Sequence, residues 1–402
     1  MRFSFGRYFL LAGGIGVFSY GAAFQKTAKP ADPVGALLAD VQAGKSKLEF
    51  EPKHGYLKAL LKELNIPVSS QMLVFSKTSM QGTHISPKKP RALYFNDQVY
   101  VGWVNGGEMI EIASVDASEG THFYTLQNSK LPKVSFEKNP QACVACHGGR
   151  SSRNVPALQI RSVFPDADGS PIFTSGGRFT TPSVPLKDRW GGWYVSGTHG
   201  KDRHLGNVIA KGEDADTAMD MEAGANVTNL KPLFDAHEYL TPHSDIIALM
   251  VAEHQIEFHN RAGRVLTAVR NMGSNPSQER VAYLSESIVD SLLGAQEITL
   301  VAPIKGTSSF TDDFAKAGVR DKKGRSLNDL DFTTRMFKYR CSPMIYSPVF
   351  DGLPTVVKEQ VYDRLKAILT GEDKSGDFGF VTAADRQAVL EILSETKPGF
   401  AR

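Results

Sequence analysis

From Met72 the chain repeats apolar positions with the period of two that turns successive side chains to opposite faces of a strand. Leu73-Val74-Phe75, Ala92-Leu93-Tyr94-Phe95, Val99-Tyr100-Val101-Gly102-Trp103-Val104, Met109-Ile110-Glu111-Ile112-Ala113 and His122-Phe123-Tyr124-Thr125-Leu126 are short runs rich in β-branched and aromatic residues. Turn chemistry separates them at Asn96-Asp97, Gly106-Gly107 and Ser118-Glu119-Gly120, so the stretch predicts an antiparallel meander of about five strands. Farther on the period lengthens to that of a helix. Ile247, Met250, Val251, His254, Phe258 and Val265 share one stripe of a strong helix expected to open at Thr241-Pro242, where proline suits the first turn. His259, about 140° round from His254, is expected to point elsewhere. Helices are also predicted at Tyr56 to Leu64, Gln278 to Leu293, Val356 to Leu369 and Thr382 to Glu395. The segment from Gly148 to Leu240 is rich in Gly, Pro and Ser and reads mostly as ordered loops, which large domains keep for functional reasons.

The fold class expected is therefore α+β. An antiparallel meander leads into a long loop region, and helices close the chain. Residues 24–70 read as a linker, Lys26 to Pro33, and an N-terminal helical segment. Residues 71–402 read as one large domain with a β-rich first part (71–135), a loop region (136–240) and a helical C-terminal part (241–402).

Composition changes this picture little: 41% hydrophobic and 22% charged residues are ordinary for a globular chain. A net charge of +3 over 402 residues gives no electrostatic footprint for nucleic acid, and none is expected as a partner. The first residues add a location. Arg2 and Arg7 precede the uncharged run Tyr8 to Phe18, and Gly21-Ala22-Ala23 follows, which is the layout of a secretory signal over residues 1–23. Left uncleaved, Tyr8 to Phe24 sits at the short limit of the ~17 to 25 residues that cross a bilayer. An exported, periplasmic protein is expected, with membrane contact only through that segment if it is retained.

The strongest chemical signal is Gln141-Ala142-Cys143-Val144-Ala145-Cys146-His147-Gly148-Gly149, which contains the CxxCH pattern of covalent haem c attachment. Each thiol can add across a haem vinyl group while the adjacent imidazole reaches the iron, which makes His147 the proximal ligand. A zinc half-site or a redox dithiol is the competing account. Zinc wants a second ligand pair at similar spacing, and the only other cysteine, Cys341, stands alone. Because haem c is attached outside the cytoplasm, the export signal and the motif support one another. No second CxxCH occurs, so one covalent haem is expected. Pro140 before the motif and Gly148-Gly149 after it leave room for only a short helical turn.

Candidates for the opposite face of the haem are more open. His254 lies on the apolar helix stripe and is a candidate distal ligand, with a core histidine satisfied by a hydrogen bond as the competing account. The run Arg189-Trp190-Gly191-Gly192-Trp193-Tyr194 to Asn207 holds two of the three tryptophans and also His199 and His204, which could ligate iron or move protons. Met219 and Met221 rank below the histidines because their surroundings are acidic and polar. Arg150, Arg153 and Arg161 follow the motif closely and could pair with haem propionates. Cys341, in Arg340 to Ser347, reads as a buried packing thiol.

The motif from Cys143 to Gly149 resembles that of the c-type cytochromes. Together with Pro90 to Asp97, Trp190 to Asn207, Asp321 to Leu327 and Cys341 to Pro354, it makes most of the chain similar to a group of large exported bacterial cytochrome c-like proteins with a single haem motif. That resemblance implies cytochrome c character and no settled activity. The leading expectation is a periplasmic haem c protein that exchanges single electrons with a redox partner protein. The rivals are a haem oxidoreductase with an open or displaceable sixth iron site, acting on a small oxidant with His254, His199 or His204 as acid or base, and a haem-containing sensor or binding subunit.

Overall fold

The computed structural model describes residues 32–149, 152, 154–212, 218–273 and 276–401; the expected signal segment, Arg150 and Arg153 lie outside these. Helix α1 (Pro33–Gln42) begins where the sequence reads as the end of a linker. The reason is a cap. Asp32 Oδ1 accepts from the N–H groups of Val34 and Gly35, and Pro33 occupies a first-turn position where no donor is missed. Helix α2 (Leu57–Glu63) then matches the expected helical segment.

Strands β1 (Met72–Val74), β2 (Arg91–Phe95), β3 (Val99–Trp103), β4 (Met109–Asp116) and β5 (Gly120–Gln127) take up the five expected runs. Next come β6 (Phe136–Lys138) and the short helix α3 (Gln141–His147). The glycine-rich segment beyond is not all loop, since it forms β7 (Arg161–Val163), β8 (Gly177–Phe179), β9 (Trp193–Tyr194) and β10 (Gly197–Thr198). The meander is extended on both edges into a seven-stranded antiparallel sheet of order β6-β5-β4-β3-β2-β1-β9.

Register sorts the side chains of this sheet onto two faces. Leu73, Ala92, Tyr94, Val101, Trp103, Ile112, Tyr124 and Leu126 form a core with α1 and α2 on one face. On the other, Phe95, Tyr100, Ala113 and Phe123 face a second, larger core. That second core is built around α4 (Ile246–Met272). It is completed by α5 (Gln278–Leu293), β11 (Lys305–Gly306, paired with β10), α6 (Phe310–Ala317), α7 (Pro348–Asp351), α8 (Thr355–Thr370) and α9 (Ala383–Thr396). Helix α4 packs on β5, α5 on α4 and α8, and α9 on α8.

Two expectations about α4 are corrected. It opens at Ile246 and not at Thr241-Pro242, because Asp245 Oδ1 receives the N–H groups of Ile247 and Ala248, whereas Thr241 Oγ1 closes only a local turn with His243 N–H. Nor is its buried surface a stripe. Between the sheet and the C-terminal helices nearly every residue from Ile246 to His259 is enclosed, so His254 and His259 are both buried on different sides. No helix among the described residues is long and apolar enough to cross a membrane.

Candidate functional site

Helix α3 is the short turn that its flanking proline and glycines predict. Strand β6 delivers the chain to it, and Asn139 fixes the approach: its N–H donates to Phe123 O, while Phe123 N–H donates to Asn139 Oδ1 at 2.8 Å. The turn opens with the N–H groups of Cys143 and Val144 donating to Pro140 O and ends at Gly148, whose N–H donates to Val144 O. No residue of α3 is fully buried, although all but Gln141 and His147 are apolar or sulfur-bearing. Cys143 is half-buried, Cys146 is exposed, and the two are not bridged.

His147 is the part of the motif that the rest of the fold grips. Its ring lies 4.7 Å from that of Phe123, tilted by 33°, and its Nδ1 lies 2.9 Å from Ala157 O. A carbonyl can only accept, so Nδ1 carries the hydrogen and the lone pair is on Nε2. Ala157 also donates its N–H to His147 O, so one residue grips the histidine twice. Helix α4 holds that grip in place: Asn260 Oδ1 accepts from Leu158 N–H at 3.0 Å and Asn260 Nδ2 donates to Leu158 O at 2.9 Å.

The charges around the motif come from the sheet. Burial lowers the His147 pKa, with the Ala157 hydrogen bond opposing, Arg91 lowering it further and Glu111 raising it. Burial raises the Cys143 thiol, and Glu111, Cys146 and Glu137 add to the shift. A redox dithiol relies on a depressed pKa, so this environment disfavours that account. Among the described residues no three His, Cys, Asp or Glu side chains come together as a metal site. Attachment to a macrocycle does not place the thiols on the metal, because they bond its edge and only the imidazole has to face the iron. The unbridged thiols, the fixed Nδ1–H tautomer and the uncovered apolar surface of α3 fit a haem c.

The other candidate residues are elsewhere. His254 Nε2 lies 2.7 Å from Ser342 Oγ, and Nδ1 lies 2.8 Å from Glu297 Oε1, although out of hydrogen-bond alignment. His199 is fixed by Asp202 O at Nδ1 and by Asn226 N–H at Nε2, and its ring lies 4.7 Å from that of His204. His204 accepts from Gly206 N–H and packs edge-on against Trp190. None of the three shares a hydrogen bond or ring contact with His147 among the described residues. Arg161 is exposed on β7, over the Phe179 ring at 5.9 Å. Met219 and Met221 are half-buried, and Cys341 is buried with its thiol pushed up to about 12.

The buried histidines give a pH dependence. His204 is pushed down to about 3 by burial, then by His199 and Arg203. His259 is pushed down to about 3 by burial, with the Asp97 carbonyl opposing and His254 adding to the shift. Both values lie below the ordinary 6.5, so the unfolded chain binds these protons more readily. Their contribution to stability is therefore full above 6.5 and is lost as the pH falls toward 3. Urea unfolding at pH 7 and pH 5 is expected to differ by about 2 kcal/mol for each of the two histidines. Equal midpoints at the two pH values would contradict the burial of both.

Sequence reasoning missed Arg91, Glu111, Phe123, Ala157 and Asn260. A signal existed for the first two: each is a charge inside a strand run, on the alternate positions that share a sheet face with Phe123. The grip of Ala157 and Asn260 on the motif had none, since it is made by backbone atoms and by a helix over a hundred residues away in sequence. No family model, no curated protein and no solved structure matches this chain.

Proposed function

We propose that this chain is an exported redox protein that carries one haem c, bonded through Cys143 and Cys146 and ligated by His147, and passes single electrons to and from a partner protein. The observation that carries this reading is the imidazole of His147 within CxxCH, which donates from Nδ1 to Ala157 O and keeps Nε2 for a metal. The bound haem would supply a one-electron iron couple. The chain's own residues would do the rest: Ala157 and Phe123 orient the imidazole, and Asn260 anchors the Ala157-Leu158 segment to α4. Because α3 buries none of its residues and Val144 is 38% exposed, the cofactor edge attached there would lie near the surface, where electrons can pass to a docked partner without a substrate channel.

The enzyme alternative has less support. His199 has both ring nitrogens committed, and His204 is held neutral by burial, so neither is poised to exchange protons at α3. Optical and EPR spectra of the purified ferric protein test the choice. A low-spin iron unchanged by cyanide or peroxide is expected, whereas a high-spin, cyanide-binding iron would overturn the electron-carrier reading in favour of catalysis.

A further inference from the structure

We propose that Arg91 binds a carboxylate of the cofactor seated at α3, a haem propionate, and that Glu111 is the positioning residue that aims it; this rests on the haem reading above. Arg91 and Glu111 sit on the same face of the sheet as Phe123, on which His147 packs. Register fixes this: Leu93 pairs with Gly102, Gly102 with Glu111 and Glu111 with Thr125, while Phe123 pairs with Ala113 on the same face. Arg91 is two residues from Leu93 along β2 and therefore shares that face. Gly102 leaves the face without a side chain between Leu93 and Glu111. Leu93 and Cys143 both pack against the core that this face of the sheet lines, so the Arg91–Glu111 pair and α3 border the same core.

The pair is built asymmetrically. Both oxygens of Glu111 are engaged: its Oε1 accepts from Ser79 Oγ at 2.6 Å and Gln81 Nε2 at 3.2 Å, and its Oε2 accepts from Arg91 Nη1 at 2.6 Å. Arg91 is less fully engaged. Nη1 is bound to Glu111, Nε is buried without a partner, and no acceptor engages Nη2 among the described residues. Each side chain is only 17% exposed. A guanidinium withdrawn this far from water and using one edge of its fork invites a second carboxylate, and its planar geometry suits one. Arg161, which is exposed and stacked on Phe179, shows no such commitment to the site.

The test is a potentiometric titration of the holoprotein, with covalent haem measured separately on denaturing gels. Arg91→Gln removes a positive charge near the iron and is expected to stabilise the oxidised form about tenfold, a fall of about 59 mV for one electron. Glu111→Gln should move the potential the opposite way, and Arg91→Lys should move it less than Arg91→Gln. Arg161→Gln should leave it in place. Opposite shifts from the two partners are a signature that a merely structural pair would not give. Haem-loaded Arg91→Gln and Glu111→Gln that titrate with the wild type would overturn the assignment, as would a shift in Arg161→Gln alone. If Arg91→Gln fails to accumulate, Arg91→Lys and Glu111→Gln decide by the same criterion. Wild-type protein without covalent haem would overturn the haem reading itself, and the gel reports that independently of any titration.

Discussion

Replacing both Cys143 and Cys146 with alanine is expected to reduce covalently bound haem to background while leaving the fold intact. Helix α3 contributes no fully buried side chain, and of its two cysteines only Cys143 packs partly against the larger core. Removing two sulfurs from such a position should change stability by no more than about 1 kcal/mol. The measurement is haem-linked peroxidase staining after denaturing electrophoresis, with circular dichroism and urea unfolding of the apoprotein alongside. Staining equal to wild type in the double variant would mean that the motif does not attach the cofactor. A collapse of the fold would mean that the cysteines serve structure first.

The second large effect lies away from α3. Glu253 on α4 is fully enclosed, accepting from Arg189 Nη1 at 2.7 Å on one oxygen and from Trp190 Nε1 at 2.9 Å on the other. Arg189 is also enclosed, and its remaining donors go to Val184 O and Pro182 O. Trp190 adopts a φ of 68°, a left-handed conformation uncommon outside glycine, so its placement has to be enforced by its surroundings. Glu253→Ala leaves a buried guanidinium and a buried indole N–H unpaired. Breaking a buried ion pair from one side costs about 3 to 5 kcal/mol. Urea unfolding is expected to show a loss of that size, and a loss below about 1 kcal/mol would contradict the burial described.

How much of this was legible in the sequence depended on whether the determining interactions were local. All five runs of the meander are strands, because alternation and turn residues act within a few positions. Helix α5 has the bounds that its periodicity predicts. Strands β6 and β9 were not legible, since each is only a few residues long and is defined by its partner across the sheet. Helix α1 could have been found. Asp32-Pro33 is a cap followed by a first-turn proline, but Pro30 and the alanines around it read as linker. His259 points away from His254 as expected, but both are buried, because the stripe argument presumes one dry face and α4 is enclosed on nearly all sides; His259 is held by Tyr100 and Asp97 O. For the candidate site, the motif named the thiols and the imidazole. What orients them, Phe123, Ala157 and Asn260, is brought together only by tertiary packing.

The most direct test of the central claim is the intact mass of the denatured wild-type protein, produced with export in cells that attach haem c. The mass of the chain plus exactly one haem, with a reduced spectrum of c type that survives acidic extraction, is the result expected from Cys143, Cys146 and His147 as arranged on α3. A mass equal to the polypeptide alone, under conditions in which a known cytochrome c is fully loaded, would contradict it.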